Sequence, residues 1–100
     1  MTIGQPFLRE DERRQVRDLI GRVVPDAEVW VFGSRATGRL HRGSDLDLLF
    51  TRPARLTWQQ RADLRDAFEA SALPFCIDLV EQDSLAAAYL DRVLAERVPL

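Results

Sequence analysis

The sequence predicts an α/β (α+β) domain, a small mixed β-sheet packed with helices in the order α-β-β-α-β-α. Three observations carry that expectation. The short apolar stretches "EVWVF" (28–32), "DLDLLF" (45–50) and "FCIDLV" (75–80) read as strands. The segments around them repeat apolar residues at helical spacing. One hundred residues then suffice for a single domain with its own core, spanning 1–100, and leave no room for a second.

Taken in order, Asp11 to Val24 places Val16, Leu19, Ile20 and Val23 on one helical face, with Gly21 as a weak point and Pro25 as the stop. Glu28 to Phe32 is short, β-branched and aromatic, and apolar on both faces, as a central strand should be. Asp45 to Phe50 is the second strand, ended by Pro53. Thr57 and Gln60 have the spacing of a capping box, opening a helix whose inner face is Leu64, Ala67, Phe68 and Ser71. Phe75 to Val80 follows Pro74 as the third strand. Asp83 or Ser84 is expected to cap a last helix with Ala86, Tyr89, Leu90, Val93 and Leu94 inward. Trp30, Phe32 and Phe68 read as core, and Cys76 as a small core residue.

Composition excludes several function classes. No apolar run approaches the roughly 20 residues of a membrane span, and the first residues show no basic segment followed by an apolar one, so a cytoplasmic protein with no membrane partner is expected. A single cysteine allows neither an internal disulfide nor a cysteine zinc cage. All 14 basic residues are Arg, which removes the phosphate-loop lysine and any lysine nucleophile. A net charge of −2 gives no general attraction to nucleic acid.

The chemistry lies between Val31 and Val80. Strand side chains alternate, so Asp45 and Asp47 share one side while Leu46, Leu48 and Phe50 take the other. Two carboxylates about 5 Å apart repel by roughly 3 kcal/mol at an effective dielectric near 20, which calls for a compensating cation. Hard Mg²⁺ with oxygen ligands fits, and Asp78 on the third strand extends the cluster. Gly33-Ser34, directly after the first strand, allows a sharp turn whose amides and hydroxyl can receive phosphate. Gly38 and Gly43 loosen the loop that follows, and Arg35, Arg39 and Arg42 can fork onto phosphate oxygens, Arg35 foremost because it adjoins the serine. Carboxylates for a metal beside donors for phosphate describe a nucleoside triphosphate site. His41 reads as solvent-exposed, and Trp58 and Tyr89 as either core or partner-facing.

"GSRATGRLHRGSDLDL" with the later strand aspartate resembles the signature of nucleotidyltransferases of the DNA polymerase β superfamily, and the chain's size and helix-first order resemble the minimal nucleotidyltransferases (MNT). The resemblance implies a palm-like fold, phosphate binding by Gly33 and Ser34, and metal binding by Asp45 and Asp47. Asp78 then completes the metal site and serves as general base. It further implies Mg²⁺ as cofactor, ATP as substrate and transfer of AMP to a hydroxyl. The acceptor is expected to be a tyrosine of a HEPN-domain ribonuclease toxin that this chain neutralises as its antitoxin. Both a homo-oligomer and a hetero-oligomer stay open. The alternative is a non-catalytic nucleotide-binding antitoxin that acts by covering its toxin, but a pure binder has no need of three clustered carboxylates that cost stability.

Overall fold

In a computed structural model that describes residues 4–41 and 43–100, the chain begins its regular structure with α1, Glu10–Val23. Glu10, Asp11 and Glu12 occupy its first turn and Arg22 its last, each sign where the helix dipole favours it. The Arg9 amide donates to Glu12 Oε1 at 3.0 Å, closing the start of the helix. Val16 and Ile20, one turn apart, bury the inner face. Strand β1 spans Glu28–Phe32, as the sequence predicts. A single helical turn the sequence did not announce, α2 (Ser34–Thr37), follows at once and ends at Gly38, left-handed with φ 85°.

Strand β2 runs Leu46–Arg52, starting one residue after and ending two residues beyond the expected span. Helix α3, Trp58–Glu69, opens on the predicted capping box: Thr57 Oγ1 accepts from the Gln60 amide at 3.0 Å and Gln60 Oε1 from the Thr57 amide at 2.9 Å. Ser71 lies beyond its end. Strand β3 is Ile77–Glu81, followed by a 3₁₀ turn, Gln82–Ser84, helix α4, Ala87–Glu96, and the two-residue strand β4, Val98–Pro99.

The sheet order is β3-β2-β1-β4. β1 is antiparallel to both β2 and β4, while β2 and β3 are parallel, with α3 as the crossover between them. Alternation along β2 divides the core. Leu46, Leu48 and Phe50 meet Val31, Leu79, α1 and α3 on one face, whereas Leu49 joins Phe32 and Val93 of α4 on the other. Each fully buried side chain here is worth about 1.5–3 kcal/mol, so β2 is pinned in register from both faces.

Four expectations are corrected. Neither Asp83 nor Ser84 caps α4; both belong to the 3₁₀ turn, and α4 begins after Ala86 without a side-chain cap. Ala86 and Tyr89 are exposed, because the stripe that meets the sheet is centred on Val93. Cys76 is exposed rather than core, since period-two alternation puts it with Asp78 and away from Ile77 and Leu79. Trp30 and Phe68 are only partly buried; the Trp30 indole N–H donates to Thr51 Oγ1 at 3.1 Å, and the Arg97 guanidinium stacks on its ring at 4.4 Å. Trp58 and Tyr89 resolve as exposed, at 80% and 48%.

Candidate active site

The antiparallel pairing of β1 with β2 sets Phe32 opposite Asp47, so the turn that leaves β1 begins beside that carboxylate. The residue there is Gly33, with φ 72° and ψ −152°, a backbone state open to glycine and costly for other residues. A Cβ on Gly33 would overlap Asp47 Oδ2 and stand 3.3 Å from its Cγ. Glycine is therefore required twice, by the turn and by the carboxylate beneath it.

On its other side Asp47 is in parallel register with Asp78 of β3. Neighbouring strands lie roughly 4.8 Å apart, so the two carboxylates leave the sheet side by side. Asp45 stands one residue before β2, exposed, and Asp78 is exposed on the edge strand. Among the described residues none of the three carboxylates has a hydrogen bond or an ion pair. The half-buried Asp47 carries the electrostatic cost. Desolvation first, then the charges of Asp78, Asp45 and Glu96, push its carboxyl up to about 6. A cation would relieve that cost, and the donors are the hard oxygens Mg²⁺ prefers. Among the described residues no three His, Cys, Asp or Glu side chains form a ready-made cage. Mg²⁺ typically takes one or two protein carboxylates and completes its shell with water and substrate phosphate, so this open arrangement fits it.

Glu96 is a residue the sequence reading missed. Its Oε1 accepts the Gly33 amide at 3.0 Å, across 63 residues of chain. Nothing local in the sequence of α4 announces that contact; it exists because α4 packs Val93 against Phe32 and Leu49. A cleft of about 390 Å³ opens here, lined by Gly33, Ser34, Thr37, Arg39, Arg92 and Glu96. The Ser34 hydroxyl makes no hydrogen bond among the described residues.

Arg35, expected at the phosphates, has its guanidinium engaged elsewhere. Nε and Nη2 donate to the Ser44 carbonyl at 3.3 and 3.1 Å, Nη1 to the Phe7 carbonyl at 2.9 Å, and the group lies over the Phe75 ring at 4.3 Å. It thereby joins α2 to the segment preceding Asp45 and to the approach of β3. Ser44 is buried beneath it, its hydroxyl bonded to the amide and carbonyl of His41, itself exposed as expected. Arg39 borders the cleft, and Arg42 lies outside the described residues.

This geometry has relatives. Residues 13–100 match the family described as nucleotidyltransferase domain. The Probable protein adenylyltransferase MntA of Haemophilus influenzae is 36% identical over 80 residues, covering 80% of this chain and 70% of the relative. A solved structure described as a minimal nucleotidyltransferase superposes with a TM-score of 0.69 at 36% identity, covering 90% of each chain. A toxin-antitoxin crystal structure with AMP-PNP gives a TM-score of 0.67 at 25% identity, over 86% of this chain and 69% of that one. A glycine turn pressed on a strand aspartate, that aspartate in register with a second, and a family match across nearly the whole fold lead to one assignment: the chain belongs to the nucleotidyltransferase domain family, within the DNA polymerase β superfamily, and is a nucleotidyltransferase.

Proposed function

We propose that the protein transfers AMP from ATP to a hydroxyl group of a partner protein, releasing pyrophosphate, and that this modification neutralises a toxin. The observation that carries the reading is Asp47, held between the Gly33 turn and Asp78 with no ion pair among the described residues to balance it. The similarity to a relative named as a protein adenylyltransferase and to a toxin-antitoxin structure with AMP-PNP supports both halves.

Asp45 and Asp47 would hold Mg²⁺, with Asp78 completing the site; when bound, the ion neutralises charge on the phosphates and on the departing pyrophosphate. Gly33 and Ser34 receive the phosphates, the glycine by allowing close approach and the serine by its unengaged hydroxyl. Asp78, on the open edge of the sheet, takes the proton of the acceptor hydroxyl as its oxygen forms a bond to the α-phosphorus and the bond to pyrophosphate breaks. Arg35 holds the Ser44 carbonyl and so positions Asp45.

Asp78 is exposed on the edge strand, so a hydroxyl on the surface of a folded partner can reach it. By resemblance to the minimal nucleotidyltransferases the acceptor is a tyrosine of a HEPN-type ribonuclease toxin, where an added phosphate would repel the RNA backbone. Co-expression of a HEPN-type toxin with the wild type or with Asp45→Asn/Asp47→Asn tests this. The expected result is growth rescue, with the mass of AMP added to a toxin tyrosine, in the wild type alone. Equal rescue by the double variant with no change in mass would instead identify an antitoxin that acts by binding.

A further inference from the structure

The motif supplies a turn and carboxylates but leaves open what neutralises the outer phosphates. With no lysine in the chain, that task falls to arginine. Most arginines near the site are committed. Arg35 is bound to the Ser44 and Phe7 carbonyls, and Arg97 is stacked on Trp30 and donates to the Leu94 carbonyl at 2.7 Å. Two that line the Gly33 cleft are not. Arg39, from the loop after α2, and Arg92, on α4, are exposed, and their guanidinium groups make no ion pair or hydrogen bond among the described residues.

Arg92 has a near partner that it does not use. Glu96 is four residues on along α4, the spacing at which opposite charges on a helix normally meet. No ion pair joins them, and the Glu96 carboxylate instead accepts the Gly33 amide at 3.0 Å. The helix thus presents one carboxylate bonded to the turn and one unpaired guanidinium four residues before it, both lining the cleft that Ser34 also lines.

We propose that α4 completes the triphosphate site: Arg92, with Arg39 of the same cleft, grips the β- and γ-phosphates, and Glu96 occupies the Gly33 amide until phosphate displaces it. This rests on the reading of Gly33-Ser34 as the phosphate turn, and it adds a helix outside the motif. A guanidinium suits the task because its fork matches two phosphate oxygens and its charge persists at every relevant pH. The cleft's volume of about 390 Å³ accommodates a di- or triphosphate group.

Binding of ATP, tripolyphosphate and AMP to the wild type, Arg92→Ala, Arg92→Lys and the control Arg14→Ala, read by calorimetry at fixed salt with Mg²⁺, tests the assignment. Arg92→Ala is expected to weaken ATP and tripolyphosphate by roughly tenfold to a hundredfold and to leave AMP within about twofold. Arg92→Lys should fall between, and Arg14→Ala, on the exposed face of α1, should match the wild type. Glu96→Gln should tighten tripolyphosphate severalfold by removing the competing anion. Unchanged ATP affinity in Arg92→Ala, or an equal loss for ATP and AMP, overturns the proposal while leaving the Gly33-Ser34 site standing. A wild type that binds neither ATP nor tripolyphosphate refutes both.

Discussion

Asp47 concentrates the cost and the use of the site in one side chain. Its carboxyl ionises at about 6 in the fold against an ordinary 3.8, chiefly through desolvation and then through Asp78. Since the folded value is the higher, the native state holds the proton more tightly than the unfolded chain does. The stability this gives is complete below about 3.8 and is lost as pH rises through about 6. Asp47→Asn removes the loss, so the melting temperature of that variant should gain on the wild type across this interval and stay ahead at neutral pH. A constant difference between the two at all pH values would contradict the assignment. The glycines make a second residue-scale contrast. Gly33→Ala forces a Cβ onto Asp47 Oδ2 at φ 72° and should cost about 1–3 kcal/mol together with nucleotide binding. Gly21→Ala, in the last turn of α1 with nothing within 4 Å, should stabilise by about 0.5–1 kcal/mol in denaturant titration.

Between elements, the junction that matters most to the site is α3 against β3, because β3 carries Asp78. Arg61 of α3 pairs with Glu81 at the end of β3 and donates to the Leu79 carbonyl at 3.3 Å, while the other Glu81 oxygen accepts the Leu56 amide at 2.9 Å. Glu81 is only 14% exposed, and its hydrogen bond from Arg61 is the main reason its carboxyl ionises below the usual range. That contribution is present above the ordinary glutamate value of 4.5 and is lost as pH falls below it, the opposite sense to Asp47. Arg61→Ala leaves the Glu81 carboxylate without its cation and is expected to cost about 1–3 kcal/mol in chemical unfolding. Thr57→Ala, which deletes the cap of the same helix, should cost about 1 kcal/mol without altering the response to pH.

For the molecule as a whole, the sheet brings turn, strand carboxylates and α4 into one locus although they are spread from Gly33 to Glu96. Ligand binding should therefore stabilise the entire domain in one transition. Mg²⁺ with ATP at about a hundredfold above Kd adds roughly 2.7 kcal/mol to unfolding, read as a rise in melting temperature. Asp45→Asn/Asp47→Asn should abolish the rise while the free protein stays as stable as the wild type or more so. A double variant that still responds fully would remove the metal assignment. The exposed Trp58, at 80%, gives a whole-molecule control, since Trp58→Ala should leave both the melting temperature and this response unchanged.

Local rules in the sequence determined the β1 span, the capping box of α3 and the mixed sheet, because period and capping act within a few residues. The glycine turn after β1 was legible for the same reason. Long-range contacts set the rest. Whether Asp47 faced Asp78 depended on parallel register, which the buried leucines of β2 fix only once both helical layers are in place. Arg35 adjoins Ser34 in sequence, yet its guanidinium ends on Ser44, Phe7 and Phe75, because where a long side chain reaches depends on which carbonyls and rings packing brings near. Glu96 and Arg92 carried no signal at all. Their place beside Gly33 was decided by the docking of α4 through Val93, a hydrophobic contact that aligns polar groups 63 residues apart without any local pattern to announce it.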